Sequence, residues 1–210
     1  MKKIVLIGSG GHCKSIIDSI KGLKKFEIVA IVEKKEDGIG INKIEKNEKL
    51  CLLYKSGIRN AFIAVGSIGN PSARIKLYEL LKNIGYKFPI IIDKTAIVST
   101  NSKIEEGVFI GKGAIVNANV TIKKQCIINS GSIVEHDCVI NEFVHLAPGV
   151  TLSGRVSIGE GTHVGTNSTI IQNVVVGKNV LIGAGSVIIR NVSDGVKIYG
   201  NPGREVGPNV

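Results

Sequence analysis

The residues best suited to chemistry sit in Val134-Glu135-His136-Asp137-Cys138, where an imidazole lies beside a carboxylate. A histidine titrates near neutral pH and can accept a proton there, while an adjacent acid can orient the ring and stabilise its protonated form. Asn129 precedes this run, and His145 and His163 follow it, eighteen residues apart. Gly154 stands eighteen residues after His136, and a glycine offers its backbone N–H without side-chain obstruction, which suits an oxyanion donor. Base, acid and amide donor together fit acyl transfer. No serine or cysteine is visibly paired with the base, so direct attack by a bound acceptor is expected in place of an acyl-enzyme.

The interval of eighteen has meaning because from Val98 to Ile188 every sixth residue is aliphatic. A period of six fits neither a helix nor a flat strand; it marks a chain that turns a triangular corner every six residues and closes a coil after eighteen. Compact or polar residues follow many of the aliphatics (Gly111, Asn117, Asn129, Gly165), and small or β-branched ones stand two before them (Ala114, Cys126, Ser132, Cys138). The pattern predicts a hexapeptide-repeat β-helix. Coils stack at about 4.8 Å, so His145 should lie on His163 and His136 on Gly154. Cys126 and Cys138 are expected as free buried thiols, and no paired C-x-x-C spacing suggests zinc.

Ahead of the repeat, Lys2 to Ile7 reads as a buried parallel strand, and Gly8-Ser9-Gly10-Gly11-His12 turns into an amphipathic helix from Cys13 to Ile20. This is a strand-to-helix phosphate cradle. Strands over 27–32, 60–65 and 88–92 and a helix over 71–84 complete an α/β pattern, with the turns Gly8 to His12, Glu33-Lys34 and Gly66-Ser67 on one edge, where open parallel sheets bind ligands. Cys13 stands where a dinucleotide fingerprint needs its third glycine, so a dehydrogenase fits poorly. The glycines serve either a tight turn or close approach of a ligand; His12 is either a helix cap or a functional group. The expected division is a Rossmann-like domain over 1–92 and a β-helix with a C-terminal tail over 93–210.

The net charge of +10 belongs mainly to the first part, where residues 1–93 hold 17 Lys and Arg against 9 Asp and Glu. Solvated helix faces account for this, or attraction of phosphorylated ligands. With 4% aromatic residues and no basic stripe interleaved with them, nucleic acid is not an expected partner. No apolar run reaches about 18 residues, and the charged start lacks a signal-peptide pattern, so a cytoplasmic location away from membranes is expected.

The runs G-S-G-G-H, A-V-G-S-I-G-N with Arg74 after it, the unbroken hexapeptides, E-H-D-C followed by His145 in F-V-H-L-A-P-G, and G-N-P-G-R resemble one family. It comprises bacterial sugar acetyltransferases that join a small nucleotide-sugar-binding α/β domain to a left-handed β-helix. Its members include UDP-4-amino-sugar (bacillosamine-type) and GDP-perosamine N-acetyltransferases and sialic acid O-acetyltransferases. The resemblance implies His136 as catalytic base and Asp137 as its acidic neighbour. It implies that His145 lies near the acetyl-CoA thioester, Gly154 at the oxyanion, and Thr166 and Ala184 along the pantetheine arm. Asn129 matches a sugar contact, and Gly10, Gly11, His12, Glu33, Lys34 and Gly66 match the nucleotide-sugar edge. Lys34 replaces an acid found in the UDP-sugar enzymes, and Gly203 replaces an alanine in the tail. The family is trimeric, with acetyl-CoA between neighbouring coils and no metal.

The expected activity is therefore acetyl-CoA-dependent N-acetylation of a nucleotide-linked amino-deoxysugar, with Gly154 N–H, and His145 as a further donor, on the oxyanion. Sialic acid O-acetylation is the nearest alternative. A non-catalytic trimeric sugar-nucleotide-binding scaffold and a three-histidine zinc site of the carbonic anhydrase kind are the others.

Overall fold

The computed structural model describes residues 1–32 and 43–209. The apolar run at the start forms β1 (Lys2–Ile7), buried from Ile4 onward. Among the described residues β1 is flanked by β2 (Phe26–Val32) and β3 (Asn60–Ile63) in the order β2-β1-β3, all parallel. Parallel neighbours need a crossover, and α1 (Gly11–Leu23) supplies the first, turning Cys13, Ile16 and Ile20 into the core. Gly8 between β1 and α1 sits at φ +114°, and a Cβ there would come within 2.8 Å of Val65 Cγ2, so the turn requires glycine. Then come α2 (Lys43–Lys55), where the sequence reading assigns no helix, and α3 (Ser72–Ile84), close to the expected 71–84.

The strand expected over 88–92 does not join this sheet. Lys87 makes a single parallel bridge to Asn60, while Ile91–Ile92 pairs with Phe109–Ile110 and begins the coil. The apolar segment Phe88 to Ile92 satisfies either neighbour's pattern, and the coil takes its end.

From Ile91 onward two-residue strands recur every six residues and stack into three parallel faces. The first face carries Phe109, Ile127, His145, His163 and Leu181 outward. Outward on the second are Ile97, Ile115, Ile133, Thr151, Thr169 and Val187. The third presents Lys103, Thr121, Val139, Ser157 and Val175. The aliphatics of the six-residue period point inward and form one continuous core, with Val98 and Ile104 of the first coil partly buried against it. Corners are set by a positive φ at every sixth residue from Gly107 to Gly185, mostly glycine and asparagine, the residues that tolerate it. Cys126 and Cys138 are buried thiols outside any disulfide.

The α/β part packs on the first face. Ile4, Leu6, Ile16 and Phe62 share a core with Ile91, Phe109 and Ile127. At the corner between the third and first faces, Phe143 enters the other core beside Tyr78, ring centroids 5.7 Å apart. Phe143 holds φ +57°, an uncommon state for an aromatic residue, and its carbonyl accepts a 3.2 Å bond from the buried Arg74. A hairpin of Val196–Tyr199 and Arg204–Pro208 closes the coil, and Asn209 Nδ2 donates to Gly69 O at 2.8 Å. No helix among the described residues is long and apolar enough to cross a membrane.

Candidate active site

His136 lies at the corner between the second and third faces, on the turn from Ile133–Val134 to Val139–Ile140. Its Nδ1 is 2.9 Å from Asp137 Oδ2, so the ring donates there and leaves the Nε2 lone pair outward as a base. Asp137 occupies the left-handed corner position at φ +61°, which an aspartate tolerates. The bond from His136, then one from Asn119 Nδ2 at 3.2 Å, holds its carboxyl below the usual range. One coil on, Gly154 faces the imidazole: a Cβ there would lie 2.7 Å from Nε2 and 2.6 Å from Cε1. Among the described residues its amide donates no backbone bond, whereas Ser153 and Arg155 on either side do. The corner thus joins an oriented base to an amide with no backbone acceptor among the described residues, and a base and an amide donor are the two parts that acyl transfer needs.

Gly154 has no left-handed φ, so alanine fits its backbone and the only change is the contact with His136. Gly154→Ala should displace the ring and lower kcat on the order of 100-fold. Steady-state kinetics beside an unchanged melting temperature would check this.

A second cluster forms where the α/β edge meets the first face. His145 lies one coil from His163 and meets its ring edge-on, centroids 4.8 Å apart; it is 6.3 Å from His12, which meets Phe109 edge-on at 5.4 Å. Nδ1 of His145 is 2.8 Å from Ser67 O, and its Nε2 is 3.4 Å from Asn129 Nδ2. Arg74, 2% exposed, donates to Ser67 Oγ, Phe143 O and Gln125 O. Burial first, then this guanidinium, lowers the His12 pKa to about 4. Burial likewise takes His145 to about 3 and His163 to about 4. A Cβ on Gly66 would meet that of His12 at 3.7 Å, whereas one on Gly10 or Gly11 would meet nothing within 4 Å. Packing therefore does not explain those two glycines. Glu33 and Lys34 lie outside the described residues.

Asn129, Thr166 and Ala184 run along the edge between the first and second faces. Next to Asn129, a cavity of about 280 Å³ opens between α1 and the coil, lined by Lys14, Ser15, Asp18 and Ser19 on one side and Phe109, Lys112 and Ser130 on the other. Lys112 forms an ion pair with Asp18. These residues were not singled out from the sequence, although Lys112 and Ser130 are eighteen apart and so stack at the corner beside Asn129.

The clusters do not meet within one chain. The edge holding His136, Asp137 and Gly154 is opposite the first face, which carries His145 and His163, and the coil core lies between them. Among the described residues no three or more His, Cys, Asp or Glu side chains converge on a possible metal position.

The model for the PglD N-terminal domain matches residues 3–81, and that for the bacterial transferase hexapeptide (six repeats) matches 101–136 and 155–190. PerB from Caulobacter crescentus, in complex with CoA and GDP-perosamine, is 31% identical with a TM-score of 0.87, over 99% of this chain and 98% of that one. The acetyltransferase domain of PglB from Neisseria gonorrhoeae, in complex with acetyl coenzyme A, is 31% identical with a TM-score of 0.86, over 98% and 99%. WeeI from Acinetobacter baumannii shares the fold at 24% identity, with a TM-score of 0.83 over 98% of this chain and 100% of that one. No curated protein matches the sequence. By its matched domains and by identity along nearly its whole length, the chain belongs to the PglD-type sugar N-acetyltransferase family with hexapeptide repeats.

Proposed function

We propose that this protein transfers the acetyl group of acetyl-CoA to the amino group of a nucleotide-linked amino-deoxysugar, of the UDP-4-amino-4,6-dideoxy type. The observation that carries this reading is the corner where Nε2 of an Asp137-oriented His136 lies against Gly154, whose amide donates no backbone bond among the described residues. The sugar's neutral amine attacks the thioester carbonyl, forming the C–N bond as His136 Nε2 takes the amine proton. Gly154 N–H holds the oxygen that becomes negative. The C–S bond breaks, and the proton on His136 passes to the departing thiolate. The open approach to Gly10 and Gly11 at the start of α1 supports a nucleotide phosphate there. In this reading residues 1–92 hold the sugar nucleotide and 93–210 carry the transfer.

A homotrimer reconciles the two separated clusters. The outward row of the second face is uncharged and β-branched, and Ile97 is 66% exposed. Three coils presenting this face to a three-fold axis bring the edge with Asn129, Thr166 and Ala184 of one copy beside the edge with His136 and Gly154 of the next. Acetyl-CoA would lie in that seam. Thr151→Lys, placing a charge in the middle of the row, should yield monomers with intact circular dichroism and at least a tenfold loss of activity, read by sedimentation and acetyl-transfer assay. A fully active monomer would exclude the shared site.

The decisive assay compares acetyl transfer to UDP- and GDP-linked 4-amino-sugars with transfer to free and CMP-linked sialic acid. The proposal expects turnover with an amino-sugar nucleotide; turnover confined to sialic acid would make the product an ester.

A further inference from the structure

His145 is 8% exposed, and both of its ring nitrogens face polar atoms. The atom 2.8 Å from Nδ1 is the Ser67 carbonyl oxygen, which can only accept, so Nδ1 carries the proton. Burial, foremost, with His163 and Arg74 nearby, lowers the pKa to about 3, and the ring carries no second proton at neutral pH. Its Nε2 is then a lone pair.

That lone pair faces Asn129 Nδ2 at 3.4 Å. The other end of the same amide is fixed independently, since Asn129 Oδ1 accepts the Ser130 backbone N–H at 2.8 Å. Two bonds of opposite kind thus set the amide's orientation. An amide nitrogen has two N–H groups; one serves His145, and the other is left to donate at the edge where Ser130 and Lys112 line the cavity.

We propose that His145 is a positioning residue for the acceptor sugar, an Nδ1–H imidazole that aligns Asn129 as a hydrogen-bond donor to a sugar oxygen, and is not a donor to the thioester oxygen. The relay runs from the Ser67 carbonyl through the imidazole to the Asn129 amide. It links the loop after β3, at the nucleotide edge, to the predicted sugar contact on the coil. A lone pair cannot stabilise an oxyanion, which leaves that task to Gly154. The identity of the ligand rests on the acetyl-transfer reading; the tautomer and the coupling to Asn129 do not.

Long-range proton–nitrogen spectra of the wild-type protein, labelled at histidine ring nitrogens, report the tautomer without turnover. A proton on Nδ1 at pH 7 is expected; Nε2–H or an imidazolium overturns the proposal. Kinetics with GDP-perosamine and a UDP-4-amino-4,6-dideoxysugar supply the second measurement. His145→Asn keeps a donor toward Ser67 and loses the Nε2 acceptor, and should raise the KM for the sugar nucleotide about tenfold. In an Asn129→Ala background the same change should add nothing; with Asn129 in place, His145→Gln, whose amide oxygen reaches the Nε2 position, should keep most of the wild-type KM. Additive effects, or a KM change confined to acetyl-CoA, overturn the proposal. Should neither sugar be acetylated by the wild-type protein, the functional reading fails; the spectra, and the same variants titrated with both sugar nucleotides by calorimetry, still decide the role of His145.

Discussion

His136→Ala is expected to lower kcat by about 10² to 10⁴-fold, the usual contribution of a positioned general base. The side chain is 55% exposed at a corner of the coil, so the melting temperature should stay within about 1 °C. Both KM values should move little, because the ring acts on a proton that leaves only as the C–N bond forms. Steady-state kinetics with both substrates varied, beside a thermal melt, test all three expectations. Near-normal turnover at saturation would remove His136 from the chemistry and leave the adjacent Asp137 without its proposed task. A wild-type protein that binds a sugar nucleotide but shows no CoA-dependent melting shift would instead favour the scaffold alternative.

Acid should destabilise the fold through the buried histidines. His12, His145 and His163 have folded pKa values of about 4, 3 and 4, against 6.5 when unfolded. As pH falls below 6.5 the unfolded chain takes up protons that the folded chain refuses, so stability is full above that value and is lost down to about pH 4 for His12 and His163 and about pH 3 for His145. At pH 5 the loss is about 2 kcal/mol for each ring and roughly 6 kcal/mol for the cluster. That corresponds to a melting temperature lower by about 10 to 20 °C. Melts between pH 7.5 and 5 check this, and His163→Gln should flatten the dependence by about a third. A flat profile would mean that water reaches the rings.

The six-residue period was legible because the coil has one repeated unit, and each inward aliphatic reports the same corner. It located the pairs His145 with His163 and His136 with Gly154, which the structure stacks as expected. The nine residues between His136 and His145 are half of a coil, which places the two on opposite sides of one chain. The burial of His145 was not legible, since nothing in the repeat marks which face the α/β part covers. Phe143 gives that away only in retrospect, as a large aromatic at a corner position where glycine and asparagine predominate. The strand expected over 88–92 parts from the sheet at Ile91–Ile92 for a related reason, as two isoleucines look alike in a sheet and in a first rung.

The recurring corner also gives the molecule a phase. Removing eighteen residues from the upper coil would shorten the stack by one layer and leave every remaining side chain on its own face. Removing six would leave each corner well formed and the interior just as apolar, yet everything above the cut would rotate by a third of a turn. The rows proposed to line the seam between copies would then point to another neighbour. Loss of a whole layer is thus tolerable in a way that loss of a third of one is not, and the coil length can vary only in whole circuits where the seam must survive.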